Sequence, residues 1–129
     1  MSKPEARERA LGALYSADVG RAEHIEDEDL DARSRRLAEG TWEHRAEIDE
    51  TIGRYATGWR VERMPVVDRN VLRLGVYELR YTDTPVGVVL DEAVELAKRF
   101  STERSGSFVN GVLAAITAAE DDAPPAGVS

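Results

Sequence analysis

The sequence predicts an all-α fold, because apolar residues recur every three or four positions along almost the whole chain. No run of roughly four to eight residues alternates between apolar and polar side chains, as a half-buried strand would. The length of 129 residues suits one domain with a hydrophobic core of its own. We therefore expect a single domain of about six or seven helices over residues 1–120 and a disordered tail at 121–129, where the chain is small, polar and rich in proline.

The first helix is predicted by residues 6–17, whose alanines and leucines fall on one helical stripe. Pro4 suits the first turn of this helix, and Gly20 marks its end. Polar residues 21–28 predict a loop, and residues 29–57 return to helical spacing. Gly40 is a candidate break that would divide this second stretch into two helices.

The second half of the chain is predicted to form a short helical turn at 60–64 and three longer helices. One helix runs over 65–81 and the next over 85–100, each opened by a proline. The VGVV string at 86–89 is the best strand candidate, but it continues directly into a helical pattern and is therefore predicted to be helical. A polar connection over 101–107 leads to the last helix.

Composition excludes several classes of site and of protein. The chain has no cysteine, which rules out disulfides, a thiol nucleophile and thiolate metal ligands. It has neither a signal-peptide pattern nor an apolar run of about 18 residues, so we expect a cytoplasmic protein. Gly-rich phosphate loops and hydrolase or zinc-protease motifs are absent, and we expect no enzymatic activity. The net charge of −8 argues, at first sight, against a nucleic-acid partner.

A basic stripe on the helix over 65–81 favours the opposite conclusion. Its residues, at helical spacing and opposite the apolar positions, are Arg69, Arg73, Tyr77 and Arg80. Arginine binds phosphate with two parallel hydrogen bonds, and an aromatic ring between arginines can stack on a base, so the stripe suits single-stranded RNA. The alternative is that these arginines pair with neighbouring acids such as Glu78.

The N-terminal segment carries a second basic feature. Lys3, Arg7 and Arg9 precede any local excess of acid, although Glu5 and Glu8 lie between them. Positive charge at a helix N-terminus is slightly unfavourable for the helix dipole, a cost that an anionic ligand would offset. The alternative is an ordinary charged helix start.

The aromatic residues divide between core and surface roles. Trp42 and Trp59 are expected to anchor packing in the core. Phe108 begins the last predicted helix, for which Ser105 or Ser107 is the expected N-cap. A phenylalanine there usually belongs to the core, but a half-exposed one could stack on a base beside the helix N-terminus.

Four strings in order resemble the NusB family of bacterial transcription antitermination factors. They are ARERALGALY (6–15), VVDRNVLRLGVYEL (66–79), DEAVELAKRFS (91–101) and SFVNGVL (107–113), with Gly58-Trp59 ending a helix before the second of them. The resemblance covers about residues 5–117, and it rests on the order and spacing of the strings rather than on any single motif.

The resemblance implies an all-α protein made of two packed helical bundles. It implies pairing with NusE, a small-subunit ribosomal protein, and joint binding to the boxA element of nascent ribosomal RNA. The pair would then help to load an antitermination complex on RNA polymerase. No reaction and no cofactor are implied.

The resemblance also implies roles for individual residues. The residues it assigns to RNA binding are Lys3, Arg7, Arg9, Arg69, Arg73, Arg104 and Phe108. Tyr15 and Asp68 match positions that face NusE. The arginine-rich start is thin in this sequence, so we expect weak binding to boxA alone and tighter binding with NusE. A net negative body would attract a basic ribosomal protein.

Two other functions are compatible with the same sequence. One is a homodimeric protein-interaction module without an RNA role. The other is a detached accessory domain of a ribosomal RNA methyltransferase system, although the chain has no downstream dinucleotide-type pattern.

Overall fold

In the computed structural model the chain is described from residue 2 to residue 121, without the side chain of Asp121. Within this range it forms six α-helices, one short 3-10 turn and no strand, which confirms the all-α class. The helices are α1 (Lys3–Gly20), α2 (Ala32–Glu43), α3 (Arg45–Tyr55), α4 (Val66–Tyr81), α5 (Val86–Phe100) and α6 (Glu103–Asp121), and the 3-10 turn is Val61–Arg63. The predicted tail, beyond its first residue, lies outside the described residues.

Helix α4 is the centre of the fold and contacts all five other helices. Helices α1 and α2 pack on each other and on α4, and so do α5 and α6, so α4 is shared by two groups of helices. Helix α3 contacts α2, α4 and α6 and joins the groups. This arrangement confirms the two packed bundles. The largest fully buried apolar side chains are Leu14, Ile48, Ile52, Leu72, Leu74, Leu113 and Ile116.

Two glycines allow α4 to approach its neighbours closely. A Cβ added to Gly75 would lie 2.9 Å from Cδ1 of Leu113 on α6, and one added to Gly40 on α2 would overlap the ring of Tyr77. The predicted break at Gly40 is therefore wrong, because this glycine lies inside α2 at a packing contact. The break falls at His44, whose Nδ1 lies 2.8 Å from the carbonyl oxygen of Gly40.

Capping side chains set the helix ends. The hydroxyl of Ser2 accepts a hydrogen bond from the N–H of Glu5 at the start of α1, and Arg21 ends that helix in a left-handed conformation with φ 54°. The hydroxyl of Thr102 accepts from the N–H of Ser105 at 3.1 Å. Helix α6 therefore begins earlier than predicted, with Thr102 as the capping side chain in place of the two serines expected from the sequence.

The remaining predictions for individual helices are confirmed. The VGVV string is helical from Val86, and residues 61–63 form the short turn predicted before α4. No helix in the described part of the chain is both long enough and apolar enough to cross a membrane. Nor do its His, Asp and Glu side chains form a group of three or more that could hold a metal ion.

Candidate functional site

The basic stripe predicted on α4 is not an exposed surface. The side chain of Arg73 is only 8% exposed, and that of Arg69 is 16% exposed. Helix α4 contacts all five other helices, so a position opposite its apolar stripe can still face another helix. The expectation that both arginines lie free of the core is therefore wrong.

The α4 arginines are held by acids from other helices. Arg69 donates to both carboxylate oxygens of Asp18 on α1, each at 2.6 Å. Arg73 donates to Asp18 at 2.9 Å and to both oxygens of Asp49 on α3, at 2.7 and 2.8 Å. Arg80 is bound by Glu120 and by the hydroxyl of Thr51. The alternative that these arginines form ion pairs is confirmed, although their partners lie on helices that are distant in the sequence.

Asp18 is the hub of this network. Burial opposes its ionisation, but hydrogen bonds from Arg69 and Asn70 and the charges of Arg73 and Arg69 outweigh burial, so the pKa of Asp18 lies below its ordinary value. Burial also opposes the ionisation of Arg73, which by itself would lower its pKa. Hydrogen bonds and charge interactions with Asp49 and Asp18 outweigh burial and raise the pKa of Arg73. The cluster is therefore ionised and connects α1, α3 and α4.

The N-terminal basic residues have different environments. The Nε of Arg7 donates to both oxygens of Glu78, and both side chains are only 4% exposed. Arg7 is therefore not an exposed cation, as the implied RNA contact would require, and this pair joins the start of α1 to the end of α4. Arg9 is exposed and bonds the carbonyl of Asp29, whereas Lys3 is exposed and has no partner within residues 2–121.

Trp59 and Phe108 form an aromatic pair at the surface. Their ring centroids lie 5.8 Å apart and the rings are tilted by 59°. Trp59 is 53% exposed, so the expectation of a core tryptophan is wrong for this residue, whereas the buried Trp42 confirms it. Phe108 is half-buried, in the second turn of α6 rather than in the first. Arg104, one turn earlier on α6, is exposed and has no ion pair within the described chain.

A hollow of about 310 Å³ opens between the aromatic pair and the start of α6. Asp68 lines this hollow, although its residue surface is only 5% exposed. The hydroxyl of Ser105 donates to its Oδ2 at 2.9 Å, but its Oδ1 has no hydrogen-bond partner. A buried carboxylate oxygen that accepts no hydrogen bond is energetically unfavourable. This oxygen is therefore suited to accept a hydrogen bond from a bound molecule.

An apolar surface lies on the other side of the start of α4. Tyr15 on α1 is 45% exposed, and Phe100 at the end of α5 is similarly exposed. They line a shallow hollow of about 270 Å³ together with Val67, which directly precedes Asp68. The apolar surface and the aromatic hollow therefore flank the first turn of α4, where Val67 lines one and Asp68 lines the other, so the fold brings Asp68, Arg104 and Phe108 together in one hollow and Tyr15 into the other.

A cleft that was not predicted lies between the start of α1, helix α2 and the end of α4. Arg33 and Arg36 on α2 line it together with Lys3, Tyr77 and Tyr81. The signal in the sequence was the RSRR string at 33–36, whose spacing on one helix turn places two arginines on the same face.

The chain is similar over most of its length to proteins of one family. The family model for the NusB family matches residues 4–118. The transcription antitermination protein NusB of Acidothermus cellulolyticus is 47% identical over 127 residues, covering 91% of this chain and 88% of that relative. NusB of Geobacillus kaustophilus is 48% identical, covering 92% of this chain and 98% of that relative.

Two solved structures have the same fold. T. maritima NusB is 40% identical and gives a TM-score of 0.80, covering 96% of this chain and 94% of that chain. A structure described as the antitermination factors NusB and NusE in complex with dsRNA gives a TM-score of 0.78 at 32% identity, covering 91% of this chain and 96% of that chain. By sequence and by fold, the chain belongs to the NusB family.

Proposed function

We propose that this chain is a transcription antitermination factor that pairs with NusE, binds boxA RNA in nascent ribosomal RNA transcripts and helps to load an antitermination complex on RNA polymerase in the cytoplasm. The observation that carries the proposal is the contact of the exposed Trp59 with the half-buried Phe108 and the unpaired Arg104 beside them. As a member of the NusB family the chain is not an enzyme.

The aromatic hollow supplies what a single-stranded RNA needs. Bases stack on exposed aromatic rings, and arginine neutralises the phosphate that follows. Phe108 and Arg104 at the hollow, and Lys3 and Arg9 outside it, keep side chains accessible for RNA, whereas Arg7 and Arg73 are buried, Arg69 is only 16% exposed, and all three are bound by carboxylates. We therefore assign the accessible group to RNA contact and the buried group to the fold.

The apolar surface around Tyr15 supplies a site for NusE. Exposed aromatic side chains next to a partly buried charge are typical of the centre of a protein interface. Asp68 lines the adjacent aromatic hollow, next to Val67 of this surface, and its free Oδ1 can accept a hydrogen bond from a cationic side chain that a basic ribosomal protein extends past Val67. Support for this partner comes also from the similar chain described in complex with NusE and dsRNA.

The RNA role is tested with Trp59→Ala and Trp59→Phe. Because Trp59 is exposed, neither variant should change the melting temperature much. Loss of one base–aromatic stack costs about 1–3 kcal/mol, so Trp59→Ala should bind boxA RNA with NusE at least about fivefold more weakly, and Trp59→Phe should retain most of the affinity. Fluorescence anisotropy measures the affinity. Wild-type affinity in Trp59→Ala would contradict the proposed RNA surface.

The NusE role is tested with Asp68→Asn, which keeps the size of the side chain but removes its charge. If the free oxygen accepts a donor from NusE, the variant should bind NusE about 2 kcal/mol or more weakly. Stability should not fall, because the change removes a buried charge whose Oδ1 has no partner. Isothermal calorimetry measures NusE binding, and urea unfolding is the control. Unchanged NusE affinity would rule out this contact.

A further inference from the structure

We propose that the cleft lined by Lys3, Arg33, Arg36, Tyr77 and Tyr81 is a second contact site for single-stranded RNA, in which the cations bind the phosphate backbone and Tyr81 stacks on a base. This inference rests on the proposed RNA-binding function and extends it to a separate face of the molecule. The cleft lies between the start of α1, helix α2 and the end of α4, and its lining residues are distinct from those of the aromatic hollow.

The cleft concentrates the free positive charge of an acidic protein. Within residues 2–121, the cationic side chains without an ion pair or hydrogen bond are Lys3, Arg21, Arg33, Arg36, Arg63 and Arg104. Half of these residues line this one cleft. Arg7 and Glu78 also line it, but they neutralise each other in their buried pair. The cleft is therefore locally basic although the chain carries a net charge of −8.

The aromatic residues of the cleft are prearranged for stacking. The rings of Tyr77 and Tyr81 lie 5.3 Å apart with a tilt of 31°, and the ring of His44 lies 4.4 Å from that of Tyr81. Tyr81 is 45% exposed, and its hydroxyl donates to Glu47, which holds the ring in place. This hydrogen bond, together with burial, raises the pKa of Tyr81, so the phenol adds no negative charge. Glu47 itself does not line the cleft.

The dimensions of the cleft favour a nucleic-acid strand over an enclosed ligand. Its volume of about 260 Å³ lies below the roughly 300–1,000 Å³ of pockets that enclose a drug-sized molecule. Cations beside an exposed ring are the combination by which proteins hold single strands without enclosing them. Thr82 and Thr84 also line the cleft, and their hydroxyl oxygens lie 3.0 Å apart.

The first test compares Arg33→Gln/Arg36→Gln with the control Arg21→Gln/Arg54→Gln. Both double variants remove two exposed positive charges, but the control residues lie outside the cleft. The affinity of the full chain with NusE is measured on boxA RNA with flanking single-stranded nucleotides, over a range of salt concentrations. The slope of log affinity against log salt should fall by about 0.7 for each phosphate that the protein no longer neutralises. We expect this fall in the cleft variant and not in the control.

The second test separates the tyrosine ring from its hydroxyl. Tyr81→Phe loses the hydrogen bond to Glu47 but keeps the ring, whereas Tyr81→Ala loses both. If Tyr81 stacks on a base, the alanine variant should bind at least about fivefold more weakly and the phenylalanine variant should bind close to wild type. Thermal melting of both variants shows whether each remains folded.

The outcomes distinguish the cleft from the proposed function. If the wild-type chain with NusE does not bind boxA RNA, the proposed function fails and the cleft proposal fails with it. If the wild type binds and Trp59→Ala weakens binding, but the cleft variant matches its control in affinity and salt slope, the cleft proposal alone is overturned. A lower salt slope confined to the cleft variant supports it.

Discussion

At the scale of single residues, Arg7 shows how burial changes the role of a charge. It belongs to the basic N-terminal segment, yet both it and Glu78 are almost completely buried. Two charges removed from water gain little net stability, because the desolvation penalty offsets their attraction. Removing only one of them leaves an uncompensated buried charge, which is strongly destabilising.

This reasoning predicts the outcome of a double-mutant cycle. Arg7→Met and Glu78→Leu should each lower the free energy of unfolding by about 3–5 kcal/mol, whereas the double variant should lie close to wild type. Urea unfolding measures all three. Because we assign Arg7 to the fold, the folded double variant should bind boxA RNA with NusE as the wild type does. A loss of RNA affinity in that variant would show that Arg7 contacts RNA.

Helical spacing predicts which positions on a helix carry charge, but it does not predict which acidic residues bind the arginines there. Arg69 and Arg73 are identified by helical spacing, but their acidic partners lie 51 and 24 residues away along the chain. Helix packing brings these groups together, and no local pattern contains that information. The same holds for Trp59, whose ring lies 5.8 Å from that of Phe108 on a distant part of the chain.

At the scale of helices, periodicity predicts the elements with errors mainly at their ends. Helix α4 is predicted over its full length, but its sequence pattern indicates one buried and one exposed face. Positions on both faces are buried through its middle, Asn70–Val76, because it is the shared helix of two bundles, whereas Tyr81 at its end is exposed. Helix α6 begins earlier than predicted because the hydroxyl of Thr102 caps it, whereas the polar residues after Thr102 have the composition of a loop.

The contact between α2 and α4 depends on a glycine and gives a direct test. Gly40→Ala would place a Cβ against the ring of Tyr77, and overpacking of this kind costs about 1–3 kcal/mol. Gly111 on α6 has no atom within 4 Å of an added Cβ, so Gly111→Ala should instead stabilise the chain by roughly 0.5–1 kcal/mol. Thermal or urea unfolding measures both changes. Equal effects in the two variants would contradict the close approach of α2 and α4.

At the scale of the whole molecule, the net charge is a poor guide to the partner. A total of −8 argues against nucleic acid, but it does not show where the charges lie. All three arginines of α4 and one at the start of α1 are neutralised by ion pairs inside the fold. The cations that remain unpaired include Arg104 beside the aromatic hollow and three residues in one cleft. Folding therefore leaves few positive groups free, and it places several of them beside exposed aromatic rings.

This distribution predicts that RNA affinity depends on the basic partner. With few unpaired cations on an acidic body, the chain alone makes few phosphate contacts, and its affinity for boxA RNA should be weak and only moderately salt-dependent. NusE adds basic groups next to the apolar surface around Tyr15, so the pair should bind at least about tenfold more tightly, equivalent to about 1.4 kcal/mol. The salt slope should also be steeper for the pair, because phosphate contacts from both proteins release counterions. Fluorescence anisotropy at several salt concentrations, with and without NusE, measures both quantities. Equal affinity and equal slope in the two series would mean that the chain binds RNA independently of its partner and that its acidic surface does not limit binding.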